Sequence, residues 1–83
     1  MIRSIALAAG LAVLATAALA DEKPSAAEVE KIKAVLAALG CEGGEMEKES
    51  NGKFEIDDAN CKDGVDYDIK LDKDFKLIRM DRD

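Results

Sequence analysis

Three kinds of hydrophobic spacing follow one another along the chain. From Ile5 to Ala17 the residues are small and apolar, interrupted by Gly10 and Thr16. Further on, Val29, Ile32, Leu36 and Leu39 recur at spacings of 3, 4 and 3, with Val35 widening the stripe. That period puts them on one side of a helix. Beyond Glu45 apolar and charged residues alternate, as in strands that bury one face.

Each segment carries its own boundary signals. Ser25 and Glu28 have the spacing of a capping box, with Pro24 just ahead of the cap, and Gly40 follows the last apolar residue, so the helix is expected over 25–39. Glu45–Glu49 reads as a short first strand, Ser50-Asn51-Gly52 as a turn, and Lys53–Asp57 as the second strand. A loop of three residues with Gly52 in a left-handed position sets Met46 opposite Ile56 and Lys48 opposite Phe54. A slip of one residue would turn Glu47 and Glu49 into the core, so the three-residue loop is preferred.

Residues 58–64 read as a polar connection. In the third strand Val65, Tyr67, Ile69 and Leu71 face one way, while Asp66, Asp68, Lys70 and Asp72 face the other. Lys73-Asp74 turns the chain into a last strand over Lys76–Met80, and its register stays open between Leu77 inward and the pair Ile78 and Met80 inward. The fold expected is α+β, one N-terminal helix packed on a four-stranded antiparallel sheet in the order α-β-β-β-β, with the other face of the sheet open and charged.

The first twenty residues stand apart from this fold. Arg3, the apolar run and Ala18-Leu19-Ala20 are the three parts of a cleavable secretory signal, and Asp21-Glu22-Lys23 follows at once. The run is shorter than the roughly 20 residues a spanning helix needs. Residues 1–20 are therefore expected to be a signal peptide and residues 21–83 one small periplasmic or secreted domain. Loss of Arg3 with the signal moves the net charge from −6 to −7. That acidity argues against nucleic acid and anionic membrane surfaces as partners.

Export changes the reading of the two cysteines. Cys41 and Cys61 form an even pair in an oxidising compartment, and the chain has no histidine and no CxxC, so a disulfide is favoured over a metal or redox pair. In the strand order above, the end of the second strand returns to the start of the first, where the two cysteines meet. Closing a loop of about 20 residues stabilises a fold by about 3 kcal/mol in the chain-entropy model.

With these elements placed, the chain resembles a PepSY domain. The resemblance rests on one helix before a strand meander, on Gly52-Lys53-Phe54-Glu55-Ile56-Asp57-Asp58, and on Tyr67-Asp68-Ile69-Lys70-Leu71-Asp72-Lys73-Asp74-Phe75-Lys76. Phe75 departs from the pattern, since many members carry glycine in the last turn. PepSY domains occur in propeptides of thermolysin-like metalloproteases and in other secreted bacterial proteins. The resemblance implies an extracytoplasmic binding module, with a peptidase as the usual partner proposed, and it carries no catalytic motif.

The residues offer little chemistry of their own. There is no histidine to act as a base and both thiols are expected in a disulfide; carboxylates abound and leave an acid/base pair open by residue type, but a domain over 21–83 is too small to build a substrate cleft readily, so no enzyme and no cofactor is expected. Asp57, Asp58, Asn60, Asp63 and Asp66 cluster in sequence, but counted from Asp58 an EF-hand would need glycine one residue before Gly64 and a ligand at Lys62. That leaves a solvated acidic loop or a weak, irregular calcium site. The open sheet face gathers Lys48, Glu55, Asp57, Asp66, Asp68 and Lys70, and it is the candidate partner face, together with the hairpin tip at Asn51. Two functions remain: a binding module that modulates an extracytoplasmic protein, or a small structural or weakly calcium-binding domain.

Overall fold

The computed structural model describes residues 22–83. The signal segment expected at 1–20 and a start at Asp21 lie outside these residues. The elements are helix α1 (Ala26–Leu39) and strands β1 (Cys41–Glu42), β2 (Glu45–Lys48), β3 (Phe54–Cys61), β4 (Asp66–Leu71) and β5 (Leu77–Arg82). Among the described residues no helix is long and apolar enough to cross a membrane.

The helix starts and stops where its capping chemistry dictates. The Glu28 amide donates to Ser25 Oγ at 3.2 Å, and the Ser25 amide donates to Glu28 Oε1 at 2.9 Å. Both halves of the capping box are thus made, satisfying two amides that the first turn leaves without intrahelical partners. Gly40, in the left-handed region, closes the helix, and its amide donates to Ala37 O at 3.0 Å. Of the apolar stripe, Ile32 and Leu36 are fully buried, while Val35 and Leu39 pack at its margin.

The sheet is antiparallel and has five strands rather than four. β3 pairs with β4 and β4 with β5, while β1 and β2 lie one after the other along the opposite edge of β3. The β2–β3 register sets Met46 opposite Ile56 and Lys48 opposite Phe54, as the three-residue loop requires. Gly52 adopts φ +90°, and its amide donates to Glu49 O at 2.9 Å. Phe54, Ile56, Ala59, Cys61, Ile69 and Leu71 form the sheet's half of the core beneath Ile32 and Leu36.

Two expectations from alternation require correction. The second strand does not end at Asp57: β3 continues to Cys61, so residues 58–61 belong to the sheet rather than to a polar connection. The strand switches parity on the way. Phe54 and Ile56 face the helix, but so do Ala59 and Cys61, because Asp58 is an extra residue at φ +57° in a bulge opposite Asp68. The neighbouring edge switches at the same level. Cys41 and Met46 both face the helix, and Gly43-Gly44 between them absorbs the change. This paired switch lets the Cys41–Cys61 disulfide form on the core side between residues directly opposite in the ladder.

The last strand resolves its open register through a second bulge. Met80 lies opposite Ile69 and packs at the core margin, whereas Leu77 lies opposite Leu71, which leaves Ile78 as the extra residue. Leu77 and Ile78 are each 45 % exposed, so neither fills the core. The space they leave is taken by Phe75, whose ring stacks on Phe54 with centroids 4.9 Å apart.

Candidate functional site

The helix covers one face of the sheet, and the other face is built entirely from the polar half of each strand. Five of the six residues expected there are found there. Glu55 and Lys70 are direct cross-strand partners, Asp57 flanks the Asp58 bulge opposite Asp68, and Asp66 lies opposite Asn60 near the end of β3. Asn60 Nδ2 donates to Asp66 Oδ1 at 3.0 Å. The Asp58 amide donates to Asp68 Oδ1 at 3.1 Å, which fixes the bulge.

Lys48 is the exception. As the cross-strand partner of Phe54 it belongs to the helix side, where its Nζ lies 2.8 Å from Glu28 Oε2. The hydrogen bond from Lys48 holds the Glu28 carboxyl below its ordinary value, and the Ser25 amide adds to this. Lys48 thus ties the first turn of the helix to β2 and takes no part in the open face. Simple alternation of charge masked this, because Lys48 sits between Glu47 and Glu49, which do face outward.

The uncovered face is more acidic than the expected set suggests. β2 contributes Glu45 and Glu47, and β5 contributes Arg79 and Asp81. Glu45 stands directly opposite Asp57, Glu47 opposite Glu55, and Asp68 opposite Asp81. Like charges in direct cross-strand positions destabilise a sheet, each by on the order of a few tenths of a kcal/mol. Partial relief comes from Lys70, whose Nζ lies 3.1 Å from Glu49 Oε2 and which stands between Glu55 and Arg79 in the ladders. Burial pushes the Glu55 carboxyl above its ordinary value, and the charges of Asp57 and Glu49 push it the same way. Burial likewise raises Asp57, with Asp68 and Asp58 adding repulsion.

At one end of this face the carboxylates of Asp58, Asp68 and Asp83 come within 4.8 Å of one another. A hydrogen bond with Asp58, reinforced by the charges of Asp58 and Asp68, raises Asp83 to about 6. These oxygens are of the kind that hard divalent cations take, but three carboxylates fall short of the six to eight ligands calcium favours. Of the residues expected to cluster in a loop, Asp58 alone belongs to this trio. Asp63 instead accepts from Tyr67 Oη at 2.7 Å and from the Val65 amide at 3.0 Å, closing the turn into β4.

A separate shallow groove passes the disulfide, lined by Ala37, Gly40, Cys41, Cys61 and their neighbours.

Sequence reasoning left Glu45, Glu47, Arg79 and Asp81 out of the candidate open face. The signal for Glu47 was present in the register that kept Met46 inward. Arg79 and Asp81 depended on a last-strand register that the alternation left open.

No curated protein and no solved structure matches the chain. A family model described as peptidase propeptide and YPEB domain matches residues 4–80. The helix-on-sheet fold and this match together place the chain in the PepSY family.

Proposed function

We propose that the chain is a small exported, non-catalytic binding module that modulates an extracytoplasmic peptidase or another protein in the periplasm or outside the cell. The open sheet face is its binding surface, and the partner presents a basic patch to it. One observation carries this reading. The face holds three like-charge pairs in direct cross-strand register, an arrangement that costs the free domain stability and that a basic partner would relieve. Membership of a family named for peptidase propeptides supports a peptidase as that partner.

The test is capture. The exported protein, immobilised with its disulfide intact, is exposed to an extracytoplasmic extract and bound proteins are identified by mass spectrometry. A partner with a basic surface is expected, held at low salt and released as salt rises. An empty capture across the whole salt series contradicts the proposal.

A second reading, a small structural or weakly calcium-binding domain, has the Asp58, Asp68 and Asp83 trio in its favour. It expects a melting temperature that rises with calcium. No shift at millimolar calcium removes its ion-binding form.

A further inference from the structure

The two edges of the sheet are protected differently. On the β2 edge, Glu22 pairs with Lys48: the Glu22 amide donates to Lys48 O at 3.0 Å and the Lys48 amide to Glu22 O at 2.7 Å. Among the described residues β5 pairs only with β4, so its outer edge is free. That edge has no proline, and it carries Leu77 and Ile78, each 45 % exposed. Long free edges with exposed apolar side chains are what soluble proteins otherwise avoid, because they template pairing with another strand.

The ladder geometry says which groups are available. The Asp83 amide donates to Asp66 O at 2.9 Å, so residues 79, 81 and 83 turn their backbone groups toward β4. Met80 and Arg82 alternate with them and present N–H and C=O to the free edge.

These facts restrict how a second β5 could pair with the first in antiparallel fashion. Outward-facing residues must stand opposite outward-facing residues. Centring the pair on Asp81 would oppose Asp81 to itself, and centring it on Arg79 would oppose Arg79 to itself. Centring it on Met80 sets Met80 against Met80 and Arg79 against Asp81, twice, in the non-hydrogen-bonded positions where side chains approach most closely. Together with its flanking residues, β5 is also the least acidic of the strands. From Lys76 to Asp83 it carries Lys76, Arg79 and Arg82 against Asp81 and Asp83, so two copies can approach there without the repulsion their net charges impose elsewhere.

We propose that the protein forms a symmetric homodimer through antiparallel pairing of its two β5 strands, centred on Met80 and held in register by reciprocal Arg79–Asp81 pairs. The exposed Ile78 lies against the stem of Arg82 from the other copy. The two sheets become one continuous sheet, and both acidic faces point to the same side, giving a bivalent surface.

Sedimentation velocity of the exported, oxidised protein across roughly a hundredfold concentration range tests this by mass action. The wild type is expected to pass from monomer to dimer. Arg79→Asp alone and Asp81→Arg alone each set like charges in register and are expected to weaken the dimer at least about tenfold. The combined Arg79→Asp and Asp81→Arg protein restores opposite charges and is expected to recover the dimer. Within one chain Arg79 Nε lies 2.9 Å from Asp81 Oδ2 and both side chains are exposed, so dimerisation exchanges this pair for the reciprocal ones, and circular dichroism melts check that the single variants, which also lose the pair within the chain, stay folded. A wild type that stays monomeric throughout overturns the proposal. So does a dimer that survives Arg79→Asp, or a monomer whose capture of another protein is lost on Arg79→Asp, which would give the edge to a partner strand.

Discussion

Phe75 shows how one side chain can oppose its own backbone. It occupies the left-handed position of the three-residue β4–β5 loop at φ +65°, where a non-glycine residue costs about 1–2 kcal/mol. Its ring offsets this by stacking on Phe54 and by lying 5.4 Å from the Lys31 ammonium. Phe75→Ala is therefore expected to destabilise more than Phe75→Gly, by about 1 kcal/mol in urea titrations, because alanine keeps the strain and loses the ring. Equal losses would mean that the backbone carries no strain. The Asp58–Asp83 contact makes a second prediction, this time with a pH sign. Asp83 is raised to about 6 in the fold, so the folded state binds more protons than the unfolded one between its ordinary value and about 6. Stability from this group is therefore present below that window and lost as pH rises through it. Asp58→Asn removes the repelling charge and keeps a residue that tolerates the left-handed backbone at position 58. Its melting temperature is expected to exceed the wild type's at pH 7, with the gain shrinking toward pH 4. A gain of the same size at both pH values would contradict the assigned cause.

At the scale of elements, the helix and the first hairpin were legible because local signals agreed with one another. Ser25 and Glu28 capped, Gly40 stopped, and the Met46–Ile56 register followed from keeping carboxylates out of the core. The bulges were less legible, since period-two reasoning assumes that a strand keeps its parity. One clue was available: the apolar residues Phe54, Ile56, Ala59 and Cys61 break step between Ile56 and Ala59, which is what an inserted residue produces. In β5 the adjacent Leu77 and Ile78 satisfy either register, and only the contact with Phe75 and Met80 decides between them. The break between β1 and β2 depends on close approach. A Cβ at Gly44 would lie 2.8 Å from Asp57 O and 2.8 Å from Ile56 Cγ2, at φ +96°, whereas one at Gly43 would meet nothing within 4 Å. Gly43→Ala is expected to cost about 1–2 kcal/mol for its backbone conformation alone. Gly44→Ala should cost clearly more, because the β3 bulge would have to move. Similar melting temperatures for the two variants would show that the edges do not switch parity together.

For the whole molecule, the sequence distributes charge unevenly between two faces that the helix makes different. On the covered side Lys48 is neutralised by Glu28, and no buried side-chain polar atom among the described residues lacks a partner. On the open side, carboxylates stand opposite carboxylates, and Lys70 and Arg79 meet only part of that charge. Part of this face was legible from alternation, and the register that set Met46 opposite Ile56 already implied the Glu45–Asp57 and Glu47–Glu55 pairs, whereas the Asp68–Asp81 pair depended on the last-strand register that alternation left open. If the face exists to meet a basic partner, stability and binding should trade against each other there. Glu47→Lys tests this most directly, since it replaces the repulsion at Glu55 with an attraction and touches no core residue. The protein carrying Glu47→Lys is compared with wild type for melting temperature and for capture of the proposed partner at low salt. A higher melting temperature together with weaker capture is predicted; undiminished capture would contradict a partner surface on the open sheet.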